Sequence, residues 1–364
     1  MKVVFLGLTV TAPWGNGSAT TYRALVRELA SRGNDVLFCE RDSAWYENAR
    51  DLRELRGALL CRYGSLDELA QRAGNAIAGA DLVILGSDVP DGAAVAEYVL
   101  QTAQGRTAFY DVETPVTLSK LESGDCESLT PALIPRFDLY LSSTGGPTLR
   151  RLQTEYGARH AVPFYCLVDP RGHVSVASRP CWDLGYLGTY SPDRQSRLEA
   201  LLLSPARALR ARRFVVAGPQ YPDTITWPAN VARIQHVSLA RHPVFFGAQR
   251  FTLNLTPEAL RQAGWSPTAR LLEAAMCGTA IITDDWPGLE EFFVPGKEIL
   301  VARSADDILR VLIETGAEAR LSLAARARQR VMREHTAARR VDQLEYELRE
   351  LSPMGARPGK TSFA

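Results

Sequence analysis

Two acids two residues apart, a carboxylate on a glycine-led helix and three glycine loops are the parts of this chain that could do chemistry. The richest stretch is 264–300, GWSPTARLLEAAMCGTAIITDDWPGLEEFFVPGKEIL. Ser266 reads as a helix N-cap with Pro267 at the first helical position, and the helix runs to Met276 before Gly278 stops it. Free N–H groups and the dipole make such a helix start an anion site. Glu273, about two turns in, could take sugar hydroxyls nearby. Asp111 and Glu113, in DVETP, sit at the end of an expected strand. Residues two apart on extended backbone face the same way, so this pair could supply a general base to an acceptor hydroxyl; a capping or ion-paired role fits the same residues.

Three loops complete the set. Trp14-Gly15-Asn16-Gly17-Ser18 follows the first expected strand. It lacks the spaced G-x-G-x-x-G of dinucleotide folds, and Glu40 is the only acid near the place a ribose-binding residue would take. An NAD-dependent oxidoreductase is thus a weak reading. Thr144, Gly145 and Gly146 precede a helix and serve as an acceptor or phosphate loop, or as a plain turn. In GTYSPDR, Gly188 lets a ligand approach the backbone, and the forked guanidinium of Arg194 could reach a diphosphate. His236 ends a strand.

These residues must be held by the elements around them. Residues 2–8, the helix 22–32 and residues 35–39 give strand, loop, helix, strand. Helices are expected over 47–57, 65–74, 93–104 and 148–156, with strands at 81–86, 107–110 and 138–142. A polar stretch at 168–179 reads as a linker, after which the alternation restarts with strands at 182–188, 213–217, 231–237 and 251–255. Helices follow at 306–315 and, as one long Arg-rich element, 318–351. Alternation of this kind makes parallel sheets covered on both faces, with ligands beyond the carboxyl ends of the strands. The expected division is residues 1–168, residues 180–335, a helix at 336–351 and a disordered tail at 352–364.

With 42 basic and 41 acidic residues, net charge +1, the chain is no generic nucleic-acid or membrane-surface binder. No 18-residue apolar run is present, and MKVVFLGLTV reads as a strand and not a signal peptide. Six cysteines and five histidines show no metal-ligand spacing. They read as reduced, buried thiols of a cytoplasmic protein.

The stretch SPTARLLEAAMCGTAIITDDWPGLEEFFVPGKEIL and REHTAARR at 333–340 resemble the nucleotide-binding half of GT-B glycosyltransferases. YDVETPVTLSKLESG and FDLYLSSTGGPTLRRL resemble the CgeB-type branch of that fold. The resemblance implies an α/β architecture of two Rossmann-like domains facing across a cleft, with the last helix crossing back to the first. It implies that Glu273 binds the donor ribose, and that Gly264, Trp265, Ser266, Pro267 and Thr268 cover the diphosphate and sugar. It places Gly188 and Arg194 on the first loop of the donor domain, and His236 and Val237 against the base. Trp265 stands where many retaining relatives carry a second Glu, so stereochemistry stays open. The implied activity is glycosyl transfer from a nucleotide-diphosphate sugar to an acceptor, with no metal and no cofactor. Trp14, Gly15, Gly17, Thr144, Gly145 and Gly146 would form the acceptor-side loops. An epimerase on the same fold and a non-catalytic nucleotide-sugar-binding protein are the alternatives.

Overall fold

In a computed structural model, residues 1–12, 18–42, 50–176 and 179–351 are described. The chain forms two wholly parallel sheets, each doubly wound. The first has strands β1 (Lys2–Gly7), β2 (Asp35–Arg41), β3 (Leu59–Tyr63), β4 (Leu82–Gly86), β5 (Arg106–Asp111), β6 (Leu139–Ser142) and β7 (Ala161–Pro163) in the order 3-2-1-4-5-6-7. The second has β8 (Trp182–Leu187), β9 (Phe214–Ala217), β10 (Val231–Ile234), β11 (Gln249–Asn254), β12 (Ala280–Thr283) and β13 (Leu300–Val301) in the order 10-9-8-11-12-13. Each order reverses once, between β1 and β4 and between β8 and β11, where Val3 pairs with Leu82 and Leu184 with Phe251. Crevices open beyond the strand ends at such reversals.

The strands are apolar almost throughout because helices cover both faces. Phe5, Tyr22, Leu25, Phe38 and Tyr110 pack on one face of the first sheet, and Leu85, Val95, Phe109 and Tyr140 on the other. The second sheet is covered in the same way by Leu271, Leu272 and Phe292 on one face and Leu202, Ile308 and Leu312 on the other. Local signals agree with these elements. Ser65 caps the helix Leu66–Ala78 by accepting from Glu68 N, and Ser304 and Asp307 form a reciprocal capping box at the start of Ala305–Glu314.

Four sequence expectations need correction. Residues 50–57 form no helix; they turn, make a bridge between Leu55 and Ala58, and lead into β3, an edge strand the periodicity did not announce. The helix carrying Glu273 starts later than expected: Thr268 is its N-cap, accepting from Leu271 N, and the helix is Ala269–Met276. The long C-terminal helix is two, Ala317–Glu334 and Ala337–Glu350. They part at Thr336, whose extended backbone pairs with Val168. The cysteines are not all buried: only Cys39 and Cys277 are, and Cys181 is exposed.

After that break the last helix lies on the first half. Ala337, Val341 and Leu344 enter the apolar cluster of Tyr22, Leu25 and Leu29, and Arg340 donates from Nε to Tyr165 O at 2.9 Å. No helix among the described residues is long and apolar enough to cross a membrane.

Two outcomes follow from this packing. His335, at the break, is 5% exposed and accepts at Nδ1 from Arg340 at 2.9 Å. Burial, then the charges of Arg340 and Arg330, lower its pKa from 6.5 to about 3. The unfolded chain therefore binds a proton that the folded one refuses. Stability is complete above pH 6.5 and falls as pH drops toward 3, at up to about 1.4 kcal/mol per pH unit from this group. Denaturant titrations across that interval should show a shallower slope for His335→Gln. Gly218, just after β9, has φ +138°, and a Cβ there would lie 1.9 Å from Gly188 O. Gly218→Ala should cost about 1–3 kcal/mol by forcing those two loops apart, read as a lower denaturation midpoint.

Candidate functional site

The reversal in the second sheet opens onto a cleft of about 1120 Å³. Its floor is the turn after β8, with Gly188, Thr189 and Arg194, and the turn after β9, with Gly218, Pro219 and Gln220. Gln220 holds a left-handed φ of 68°, an uncommon conformation for a non-glycine residue. One wall is the segment after β10, including His236 and Val237. The other is the capped start of the Glu273 helix, with Thr268, Ala269 and Arg270. Thr20 and Asp51 reach the cleft from the first half. Five of the residues singled out from the sequence thus meet on one cavity with Glu273: Gly188, Arg194, His236, Val237 and Thr268.

Glu273 is 5% exposed. A buried carboxylate needs partners, and it has several. Arg270 NH1 lies 2.9 Å from Oε2, His242 Nδ1 3.1 Å from the same oxygen, and His173 Nε2 3.9 Å from Oε1. Burial alone would raise the carboxyl; the Arg270 charge, then the His242 bond and charge and the His173 charge, outweigh it and hold the pKa at about 2. The site therefore presents a full negative charge inside a basic collar. Sequence spacing hid this collar, because His173 lies in the linker and His242 opens the short helix His242–Gly247. His173, His242 and Glu273 bring three ligand atoms within 4.8 Å of one another, and among the described residues they alone form a group that could hold a metal ion. Arg270 NH1, also 3.4 Å from His242 Nδ1, already places a cation against that group. Arg194 donates from NH2 to Thr189 O at 3.0 Å, while its buried Nε has no protein partner.

Gly264, Trp265, Ser266 and Pro267 do not line the cleft. They dock the two halves instead. Trp265 has φ 43°, donates to Pro287 O at 2.7 Å and accepts from Gly145 N at 3.0 Å. Its ring lies so close to Gly146 and Gly288 that a Cβ on either would come within 2.4 and 2.5 Å of it, respectively. Ser266 Oγ shares a hydrogen bond with Thr144 Oγ1 at 2.9 Å, and Pro267 O accepts from Cys166 Sγ at 3.2 Å. Thr144, Gly145 and Gly146 are thus the other side of this junction.

The acids of the first half separate by environment. Asp111 is fully buried; it accepts from Tyr140 OH at 2.6 Å, Thr117 Oγ1 at 2.7 Å and Glu113 N at 3.3 Å. Burial raises its pKa although these bonds pull the other way. It stitches β5 to the helix Thr114–Ser123 and to β6, and does not face the cleft. Glu113 points elsewhere from Asp111 because the backbone turns into that helix at Glu113, so alternation of the strand ends there. Glu113 is exposed; partial desolvation, then the charges of Asp111 and Asp88, raise its pKa. Glu40 accepts at Oε2 from Thr9 Oγ1, Val10 N and Thr11 N, and at Oε1 from Thr11 Oγ1 at 2.7 Å. Those bonds occupy it as a loop anchor, which removes the one acid an NAD reading relied on. Asp51, inside a stretch whose periodicity predicts a helix, lines the cleft with both oxygens held by Arg23. Trp14, Gly15 and Gly17 lie outside the described residues.

A family model described as glycosyl transferase-like matches residues 194–346. No curated protein matches the chain. Among solved structures, sucrose-phosphate synthase from Thermosynechococcus elongatus aligns at TM-score 0.70 and 14% identity, covering 97% of this chain and 100% of that one. Anabaena HepE in complex with UDP and glucose aligns at 0.69 and 12% identity over 96% and 100%. An alpha-glucosyltransferase in complex with UDP and a 13-mer DNA aligns at 0.69 and 11% identity over 96% and 99%. The chain therefore has the GT-B glycosyltransferase fold, with a glycosyl transferase-like segment spanning residues 194–346.

Proposed function

We propose that the chain transfers a sugar from a nucleotide-diphosphate sugar to an acceptor, without a metal. One observation carries this reading: a buried, ionised carboxylate, Glu273, and two arginines, Arg194 and Arg270, line one large cleft at the reversal of the second sheet. Glu273 accepts from the ribose hydroxyls. Arg194, Arg270 and the capped helix start at Thr268 neutralise the diphosphate, which is both the binding handle and the leaving group. The segment at His236 and Val237 takes the base. Positive charge from these residues stands where a divalent ion would otherwise be needed. Two structural neighbours hold UDP, so a uridine nucleotide is the first donor to try. One of those neighbours holds glucose and the other DNA; the fold does not choose the acceptor.

The acceptor enters from the first half. We assign proton removal to Glu113, whose raised pKa and exposure suit a base better than Asp111, sealed in its own network, or Asp51, clamped by Arg23. Asp51 is then a wall residue held in place for the acceptor. Closure of the two halves would exclude water and limit donor hydrolysis.

Glu273→Gln and Arg194→Ala should each weaken nucleotide-diphosphate binding by about 10–100-fold, the loss of one or two charge-assisted hydrogen bonds, measured by calorimetry against UDP, GDP, dTDP, ADP and CDP. Full affinity of Glu273→Gln for all five would sink the donor assignment. Chelation should leave transfer unchanged. Glu113→Gln should lower the transfer rate by about 100-fold or more at unchanged donor affinity. The wild-type acid limb should lie above the ordinary glutamate range, because the base works only when deprotonated. Unchanged transfer in Glu113→Gln would point to a mechanism in which the leaving diphosphate itself takes the proton. Incubation with donor alone separates the alternatives: an epimerised sugar, slow hydrolysis, or no change.

A further inference from the structure

Cys39 and Cys61 are 22 positions apart in sequence, with no motif between them. The first sheet makes them neighbours: β2 pairs with β3 in parallel, and Cys39 stands opposite Cys61 in register. Both side chains belong to the same apolar cluster, on the face that also carries Tyr63 and Leu69. They therefore project to one side of the sheet across a single interstrand gap. The two thiols thus face each other across neighbouring strands. Their exposure differs: Cys39 is wholly buried, while Cys61, on the edge strand, is partly open to solvent.

We propose that Cys39 and Cys61 form a reversible dithiol–disulfide site, oxidised by peroxides or small disulfides through the exposed edge at Cys61. The division of labour follows from the surroundings. The facing Cys39 thiol, with the charge of Arg72 and against some desolvation, lowers the Cys61 pKa to about 7. The facing Cys61 thiol and burial keep the proton on Cys39. The Cys61 thiolate attacks one oxygen of hydrogen peroxide, the O–O bond breaks, and the departing hydroxide takes a proton to leave as water. Cys61 is then a sulfenic acid. The Cys39 sulfur attacks it, the S–O bond breaks, and the Cys39 proton leaves with that oxygen as a second water. Two thiols have lost two electrons in total, and one peroxide has gained them.

Adjacent strands lie about 4.8 Å apart, inside the roughly 4.4–6.8 Å between Cα atoms that a disulfide spans, so facing cysteines on neighbouring strands can be bridged.

The test uses the full-length reduced protein. Treatment with a small excess of hydrogen peroxide, followed by N-ethylmaleimide and proteolytic mass mapping, should yield the peptide pair linked through Cys39 and Cys61. Reduced glutathione should reopen it. Cys39→Ser should abolish the link and leave Cys61 as a trapped sulfenic acid, and Cys61→Ser should abolish both. Folding of each variant is checked by its denaturation midpoint, and a Cys61→Ala variant serves if Cys39→Ser does not fold. The proposal is overturned if the linked peptide never appears while Cys61 is oxidised or alkylated, or if oxidant is consumed only at the exposed Cys181. These readouts involve no donor or acceptor, so they stand apart from the transferase reading.

Discussion

A buried charge at Glu273 is the constraint around which the second half is arranged. An ionised carboxylate at that depth is tolerated only with donors and opposite charge at close range. Its partners come from three places: Arg270 one turn back on its own helix, His242 on the short helix before β11, and His173 on the segment joining the halves. The requirement to compensate one charge thus fixes the helix, a wall of the cleft and the connection to the first half in one cluster. The connection continues outward. Asp169, whose carbonyl accepts from His173 N at 3.2 Å, is ion-paired with Arg27 on the first helix of the first half. A ligand that engages Glu273 therefore touches a group mechanically tied to both halves.

The other buried acids illustrate a different use of the same physics. Parallel strands end with several backbone N–H groups unpaired in the loops beyond them, and those groups need acceptors. Glu40 ends β2 and holds residues 9–11. Asp111 ends β5 and holds the start of the next helix. Asp284, directly after β12, accepts from Thr256 N and Thr256 Oγ1 at 3.1 and 2.8 Å and pairs with Arg197. Each lies at the carboxyl edge, where a catalytic acid would also lie. Their oxygens are spent on the elements beside them, whereas Glu273 lines the cleft. An acid at a strand end is thus a site residue only if its acceptor capacity is left to the cleft.

The junction between the halves shows a similar exchange of roles. The segment from Gly264 to Pro267 carries the residue types of an anion-binding loop, yet Thr268 caps the helix and the four residues before it serve as a wedge. Trp265 fits this place because a large flat ring can be clamped between the glycine backbones of Gly146 and Gly288. The GT-B resemblance puts a second acid at this position in many relatives; here the site is occupied by packing.

Much of this was legible from the residues. Apolar runs of four to seven residues alternating with amphipathic stretches determine two parallel sheets, since only helices on both faces can cover such strands. Gly188, Arg194 and Glu273 stand out by residue type and order, and the structure places all three on one cleft. Local sequence could not decide which acids face the cleft, because that depends on where neighbouring loops spend their hydrogen bonds. Nor could it show that His173 and His242 surround Glu273, that Trp265 joins the halves, or that Cys39 stands beside Cys61. Each of these pairs residues from distant parts of the chain, and strand order and register bring them together. Periodicity reports which side of an element is buried; only the tertiary structure decides what it is buried against.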